Sequence, residues 1–243
     1  MKSFPITIKP FGKSALLIEW PNKVDESILY DILRFQKHLS LELDASWEFI
    51  PVYNSLTLVS QNETLVFNTW RQKLLDLYAS SNEHKPADRY LWKLPVCYDL
   101  EFAPDLEEVA HKLHLSVEGL VKEHCTHEYI VYGIGFLPGF MYLGGLPKSL
   151  ETQRKKEPRM KVAKGSVGLA GKQTGIYPQE SPGGWNLIGN CPIPMFNVKA
   201  EDPCFVSIGD KIKFEAIPRA EYELHKIEGE VGIYKPEKVK LDA

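Results

Sequence analysis

The sequence predicts an α+β protein, with an N-terminal sandwich of helices on a sheet followed by a β-barrel. Three observations support this class. Over residues 1–90, segments with the apolar spacing of strands alternate with segments that have the apolar spacing of helices. Residues 80–88 are polar and contain a proline, which predicts a linker. After residue 104 the chain changes to short β-prone segments between glycine and proline turns, which is typical of a small barrel.

The N-terminal elements are predicted from apolar spacing. Strands are expected at residues 14–20, 47–52, 56–60 and 90–98, and helices at 24–39 and 65–78. This order, β-α-β-β-α-β, is the split βαβ arrangement of a ferredoxin-like domain.

The C-terminal part is predicted to begin with two short helices, one starting at Asp105 and one running from Ser116 to about Cys125. A strand is expected at 129–132, and short β segments continue to Phe214. We therefore divide the chain into two domains, residues 1–85 and residues 86–243.

Composition excludes several functional classes. The 243 residues carry a net charge of −3, so nothing global favours nucleic acid or an anionic membrane as a partner. No apolar run reaches the length of a signal peptide or a membrane span, and we expect a cytoplasmic protein. The four cysteines are scattered and are expected to be reduced.

Glycine is concentrated in one region, where 133–189 holds 12 of the 17 glycines of the chain. Glycine adds nothing to a core and is used where the backbone turns or approaches a ligand. The first block of this region, 133–147, mixes glycine with aromatic residues. We expect it to form a groove wall rather than core, with these candidate ligand contacts: Phe136, Pro138, Gly139, Phe140 and Tyr142.

The second block, 165–189, contains GSVGLAGKQT but not a phosphate-binding loop. That motif needs glycine at 166 and serine or threonine at 173, where this chain has Ser166 and Gln173. Ser181 lies in no GxSxG elbow and is not expected to act as a nucleophile. We instead expect Ser181, Gly183 and Gly184 to form a sharp turn that presents Trp185 to a ligand.

Histidines occur in two pairs, His111 with His114 and His124 with His127. Such pairs on a helix can bind zinc, but further ligands are not evident and no metal site is predicted. His124 precedes the first glycine-rich block and is a candidate acid or base, the alternative being a histidine on a helix face.

A basic run follows the first block: Arg154, Lys155, Lys156, Arg159, Lys161 and Lys164. Such a run is usually a solvated loop. The alternative is attraction of a phosphate, a carboxylate or an acidic protein surface.

Several long blocks in one order resemble a known family. They are LPVCYDLEFAPDLEEVA (94–110), GFLPGFMYLGGLP (135–147) and AGKQTGIYPQESPGGWNLIG (170–189). The chain resembles, over nearly its whole length, the B subunit of bacterial ATP-dependent 5-oxoprolinase. The same family includes the sporulation kinase-A inhibitor and proteins called allophanate hydrolase subunit 1.

This resemblance implies a ferredoxin-like domain over 1–85 and a cyclophilin-like β-barrel over 86–243, related to the C and D part of a carboxyltransferase. It also implies two partners, an A subunit and a C subunit with a similar barrel. The assembled complex would use ATP and Mg²⁺ to convert 5-oxo-L-proline to L-glutamate. This chain alone is expected to bind neither ATP nor Mg²⁺.

With that reaction in view, we expect the glycine-rich groove to supply part of a composite site. His124, Gln173 and Tyr177 are the predicted catalytic polar groups, and Arg159 is the predicted anion contact. Phe136, Phe140 and Trp185 would form the walls.

Two short stretches depart from the family pattern. The family reads Val-Pro-Ala-Gly-Ser where this chain has Val162-Ala163-Lys164-Gly165-Ser166. It reads Ile-Gly-Arg-Thr-Pro where this chain has Ile188-Gly189-Asn190-Cys191-Pro192, with Asn190 in place of the arginine. Loss of that arginine removes a potential anion contact.

Other functions remain open from the sequence. One is a protein-interaction module that restrains a sensor histidine kinase, as the kinase inhibitor in the family suggests. Another is a subunit of an allophanate or urea amide hydrolase. A peptidyl-prolyl isomerase is suggested only by analogy of fold.

Overall fold

The computed structural model describes residues 4–62, 64–81 and 88–241, and within them the protein is of mixed α+β class with several sheets. The chain forms two compact units that divide between residues 88 and 89. The domain boundary predicted after residue 85, and most of the predicted linker, fall within 82–87 and lie outside the described residues.

The first unit is a four-stranded antiparallel sheet with two helices. Its strands are β1 (Thr7–Pro10), β2 (Ala15–Glu19), β3 (Trp47–Val52) and β4 (Ser55–Ser60), in the spatial order β1-β2-β4-β3. Its helices are α1 (Glu26–Glu42) and α2 (Phe67–Ser80).

A buried carboxylate connects the two helices of this unit to its sheet. Asp31 on α1 is 5% exposed and accepts hydrogen bonds from the indole of Trp20 at 2.7 Å and from the hydroxyl of Tyr78 on α2. Arg34 pairs with the same carboxylate at 2.6 Å. A charge buried this far from water is stable only when it is paired and hydrogen-bonded, as it is here.

The predicted strand order, in which residues 90–98 complete the first sheet, is wrong, and these residues lie in the second unit, after the predicted division at residue 85. Strand β5 (Tyr90–Val96) belongs to the second unit, where it lies between β13 (Lys211–Ala216) and β14 (Glu237–Lys240). The edge of the first sheet beside β2 is taken by β1, whose sequence TIKP has a single buried residue, Ile8. So short a strand, with one inward side chain and a terminal proline, has almost no alternating pattern to recognise.

The second unit contains an eight-stranded sheet, a two-stranded sheet and three α-helices. The remaining elements are α3 (Leu106–Lys112), α4 (Val117–Thr126), β6 (Glu128–Ile134), β7 (Met141–Gly144), a 3₁₀ turn (Lys148–Leu150), β8 (Arg159–Val162), β9 (Ser166–Ala170), β10 (Gln173–Ile176), β11 (Ser181–Gly183), β12 (Asn186–Asn190) and α5 (Arg219–Glu230).

The large sheet has the order β12-β9-β10-β7-β6-β13-β5-β14, and β8 pairs with β11 separately. The described strands form an open ladder and not a closed barrel. Strands β12 and β5 nevertheless meet where they end, because Cys97 and Asn190 exchange two backbone hydrogen bonds of 2.9 Å. The sheet thus curves far enough to bring β12 back to β5 at a single bridge.

Within the described part of the chain, no helix combines the length and apolar character needed to cross a membrane.

Candidate functional site

An open pocket of about 160 Å³ lies in the second unit, within the glycine-rich region. It is lined by residues of both glycine-rich blocks and by one residue of the basic run: Phe136, Phe140, Tyr142, Arg154, Tyr177, Pro182, Gly183, Gly184 and Trp185. Seven of these were predicted as site residues, and Pro182 and Arg154 were not.

Aromatic rings form most of the pocket wall, with Phe140 at their centre. The ring of Phe140 meets those of Tyr142, Trp185 and Tyr177 edge to face, with centroids 5.0, 5.5 and 5.7 Å apart. Phe140, Tyr177 and Trp185 are at most 5% exposed. Edge-to-face contacts of this kind hold each ring in one orientation, so the deep part of the pocket is preformed.

Two glycines make room for these rings. A Cβ on Gly183 would lie 2.4 Å from the hydroxyl of Tyr177, and one on Gly175 would lie 2.9 Å from the carbonyl oxygen of Met141 and 3.1 Å from the Trp185 ring. All three distances are shorter than ordinary van der Waals contact. Gly175 and Gly183 therefore allow a close approach that a residue with a side chain would prevent.

Phe136 stands at the mouth of the pocket in a strained conformation. Its φ of 70° is unusual for a residue other than glycine, and its side chain is 65% exposed while touching Phe140 at a centroid distance of 5.6 Å. Backbone strain of this kind is concentrated at functional sites.

Arg154 supplies the cation of the pocket, with its guanidinium 6.0 Å from the centre of the Trp185 ring. Sequence reasoning placed Arg154 in the basic run without choosing it as a site residue. Nothing in the spacing of six basic residues indicates which one faces a pocket.

Arg159, the predicted anion contact, is bound elsewhere. Its Nη2 lies 2.6 Å from Oδ1 of Asp105, and Nζ of Lys155 lies 2.7 Å from the same oxygen. Although burial acts to raise it, hydrogen bonds from Arg159 and Lys155 hold the pKa of Asp105 below its ordinary value. Asp105 also accepts the backbone N–H of Leu187 at 2.7 Å, so this ion cluster fastens the start of α3 to β12. Arg159 does not line the pocket.

His124 is enclosed in the core and not at the pocket. It is 0% exposed, its Nδ1 is 2.7 Å from the hydroxyl of Tyr98, and its Nε2 is 2.9 Å from Oγ1 of Thr174. Its ring stacks on Phe214 with centroids 4.5 Å apart. Burial, and to a lesser extent the neighbouring His127, lower the pKa of His124 to about 3, so the imidazole is neutral.

The other predicted residues lie around the pocket without lining it. Gln173 is half-buried on β10 and, because strand residues alternate, is on the same side as Gly175. Ser181 is 9% exposed and donates to the carbonyl oxygen of Pro182 at 3.2 Å. Pro138 is exposed and Gly139 is buried in the turn that leads to Phe140.

Residues 165–172 form β9 and the tight turn into β10, with Gly171 at φ 59°. The next element is a strand and not the helix that a phosphate-binding loop requires. Among the described residues, no group of three or more His, Cys, Asp or Glu side chains is placed to hold a metal ion.

A family model described as "Carboxyltransferase domain, subdomain C and D" matches residues 6–206. The chain belongs to this family. Within it, the 5-oxoprolinase B subunit of Bacillus subtilis (strain 168) is 34% identical over 232 residues, covering 91% of this chain and 97% of that protein. The Escherichia coli O157:H7 protein of the same name is 35% identical, covering 86% and 94%.

Solved structures share the fold of this chain. The protein TTHA0988 is 32% identical with a TM-score of 0.72, covering 84% of this chain but only 39% of TTHA0988 itself. The chain therefore spans about two fifths of that longer protein. The urea amidolyase of K. lactis has a TM-score of 0.82 over 98% of this chain and 16% of its own length, but at 16% identity this likeness shows the fold alone.

Two of the residues that depart from the family pattern, Lys164 and Asn190, lie in contact. The amide of Asn190 donates to the carbonyl oxygen of Lys164 at 3.0 Å and accepts from the hydroxyl of Tyr222 at 3.0 Å. Asn190 is 5% exposed and does not line the pocket. In this member of the family the residue at 190 serves to join β12 to α5.

Proposed function

We propose that this chain is the B subunit of an ATP-dependent 5-oxoprolinase that works with an A and a C subunit. The complex would convert 5-oxo-L-proline, ATP and water to L-glutamate, ADP and phosphate. One observation carries this proposal: relatives named as the B subunit of 5-oxoprolinase align with this chain over 97% and 94% of their own lengths. Because the reaction consumes ATP, we place the complex in the cytoplasm.

The pocket supports a role in holding the substrate. A lactam is an unreactive amide, and an enzyme that opens it must fix the ring and stabilise charge on its oxygen. The preformed aromatic walls of the pocket fit a small ring, and Gly183 and Gly184 leave the backbone accessible beside it. We propose that this pocket, including Tyr177, is the part of the composite site that this chain supplies.

We assign ATP and Mg²⁺ to the assembled complex and not to this chain alone. The segment that most resembles a phosphate-binding loop is a β-hairpin, and it precedes a strand. Activation of the lactam oxygen by phosphorylation would then depend on a partner subunit.

For the fold, we propose that the first unit is a ferredoxin-like domain in which β1 takes the outer place. Strands β2, β3 and β4 with both helices keep the split βαβ order. We propose that the second unit is the cyclophilin-like, carboxyltransferase C/D-type domain, with the bridge between Cys97 and Asn190 as its point of closure. We keep the proposed domain boundary after residue 85, within the segment 82–87.

The test is 5-oxoproline-dependent release of ADP and formation of glutamate. The chain is purified with its A and C subunits, and each protein is omitted in turn. We expect activity only when all three are present. Activity that persists without this chain would overturn the proposal.

A protein-interaction role is the second candidate, with a sensor histidine kinase as the partner. The observation in its favour is that α5 exposes two apolar side chains, Leu224 and Ile227, at 53% and 60%, and that Val231 directly after the helix is 65% exposed. An intact three-subunit complex with no 5-oxoproline-dependent activity would favour this candidate or another amide substrate.

A further inference from the structure

Unlike Lys155, Arg159 and Lys161, Arg154 has no carboxylate partner in the described part of the chain, and unlike Lys156 and Lys164 it lines the pocket. Lys155 pairs with Asp105 at 2.7 Å and Glu108 at 3.2 Å, and Arg159 pairs with Asp105 at 2.6 Å. Arg154 instead contacts the ring of Trp185 and lines the pocket. Its positive charge is therefore available to a ligand.

The backbone on both sides of Arg154 is fixed. The carbonyl oxygen of Thr152 accepts from Gly171 at 2.6 Å, and that of Gln153 accepts from the side chain of Asn186 at 2.8 Å. The N–H of Lys155 donates to the carbonyl oxygen of Gly184 at 2.8 Å. These anchors at residues 152, 153 and 155 fix the backbone of Arg154 beside the pocket, and its exposed side chain lies over the Trp185 ring.

The aromatic walls and the guanidinium of Arg154 together indicate which class of ligand the pocket can bind. The edges and faces of Phe140, Tyr142 and Trp185 suit a small flat ring. Burial raises the pKa of Tyr177, so its hydroxyl is a neutral hydrogen-bonding group. The planar fork of an arginine binds a carboxylate through two parallel hydrogen bonds. Among the residues that line the pocket, Arg154 is the only one with a full charge.

We propose that Arg154 is the specificity-determining residue that binds the carboxylate of a small cyclic amino-acid derivative held in the aromatic pocket. This inference rests on the proposed function, in which 5-oxo-L-proline is that ligand. It assigns the anion contact to Arg154 in place of Arg159, which pairs with Asp105 and does not line the pocket. A lactam without the carboxylate, such as 2-pyrrolidone, keeps the ring contacts and loses this one.

The test compares two ligands on the assembled three-subunit complex. Equilibrium binding of 5-oxo-L-proline and of 2-pyrrolidone is measured by calorimetry without ATP, and 5-oxoproline-dependent ADP release is measured separately. The variants are Arg154→Ala and Arg154→Lys. The matched control is Lys156→Ala, which removes an exposed charge two residues away that does not line the pocket.

We expect Arg154→Ala to weaken binding of 5-oxo-L-proline by about 10- to 100-fold, the usual range for a charge-assisted hydrogen bond. Binding of 2-pyrrolidone should change less than about threefold, because its ring contacts persist. Arg154→Lys should fall between, since lysine keeps the charge but not the fork. Lys156→Ala should match the unsubstituted complex for both ligands.

The inference fails if Arg154→Ala weakens both ligands equally or neither, or if the unsubstituted complex binds no 5-oxo-L-proline. The proposed function fails separately. A complex that binds 5-oxo-L-proline through Arg154 but releases no ADP would overturn the oxoprolinase assignment and keep the carboxylate contact.

Discussion

The two sides of strand β10 carry two different clusters. On one side, Thr174 is fully buried and contacts His124, whose ring is enclosed by Tyr98 and Phe214. On the other side, Gly175 leaves space for the ring of Trp185 in the open pocket. Adjacent residues of β10, Thr174 and Gly175, thus belong to a sealed polar cluster and to an accessible aromatic one.

This difference indicates that the pocket is suited to binding a ligand and that His124 is not placed to transfer a proton to it. His124 has the side chain best suited to acid–base chemistry, but it is buried and neutral. The pocket offers aromatic rings, the protonated hydroxyl of Tyr177 and the permanent charge of Arg154. The described residues that line this pocket can hold and orient a ligand, and none of them is ready to take a proton near neutral pH, as the proposed dependence on partner subunits requires.

The largest effect expected from this comparison is on stability. His124→Ala removes a buried ring and leaves the hydroxyls of Tyr98 and Thr174 without their partner. The free energy of unfolding of the second unit should fall by about 3 kcal/mol. Urea titration followed by tryptophan fluorescence measures it. At about 15 °C, close to the usual temperature of maximum stability, the variant should remain folded and binding of 5-oxo-L-proline to the complex should persist.

The control for this variant is His127→Ala, one turn further along the chain. His127 is half-buried and bonds to the backbone carbonyl of Glu123, so its loss should cost less than about 1 kcal/mol. If a folded His124→Ala complex bound no 5-oxo-L-proline, His124 would belong to the site and the separation of the two clusters would be wrong.

The next effect is the dependence of stability on pH. The pKa of His124 is lowered to about 3 in the folded chain, while an exposed histidine has about 6.5. The unfolded state therefore binds a proton first as the pH falls, and stability present above about pH 6.5 is lost progressively below it. Between about pH 7 and pH 5 the loss should be about 2 kcal/mol from this residue.

Urea titrations at about pH 7, 6 and 5 measure this loss, and His127→Ala should keep it. The groups around His124 do not compete in this range, because burial raises the pKa of both Tyr98 and Cys125 and they stay protonated. A free energy of unfolding that stays level across this range would contradict a buried neutral His124.

Much of the fold follows from patterns that the sequence displays. Helices α1 and α2 and the hairpin of β3 and β4 lie where apolar spacing predicts them. The sheet to which β5 belongs could not be predicted in this way, because the apolar alternation of β5 would suit a strand of either sheet. Its position depends on pairing with β13, which is distant in sequence, and no local signal carries that information.

The pocket was partly predictable for a related reason. Glycine and aromatic residues in turns indicated the place, and Phe136, Phe140 and Trp185 lie there. His124 was chosen because it precedes the glycine-rich block in sequence. Whether a residue faces the pocket or the core depends on which side of β10 it occupies. That side is set by the register of the strand, and a segment rich in glycine gives no apolar alternation from which to predict the register.

A smaller effect is expected for Phe136→Gly, which should weaken ligand binding without lowering stability. Phe136→Gly relieves the positive φ of 70°, so the free energy of unfolding should stay the same or rise by up to about 1 kcal/mol. The same variant removes the ring at the pocket mouth and should weaken 5-oxo-L-proline binding by about threefold to tenfold. Phe136→Ala is the control, since it removes the ring and keeps the strain. Equal stability changes in both variants would show that the strain is not significant.

The smallest effect is expected at Gln173. It lies on the pocket side of β10 but does not line the pocket, and it is half-buried at the end of the β9–β10 hairpin. Gln173→Ala should therefore change the free energy of unfolding by less than about 0.5 kcal/mol, and kcat/KM of the complex for 5-oxo-L-proline by less than about threefold. A fall of about 100-fold in kcat at unchanged KM would instead place its amide against the reacting lactam. The composite site would then extend along β10 beyond the pocket, toward the surface that a partner subunit covers.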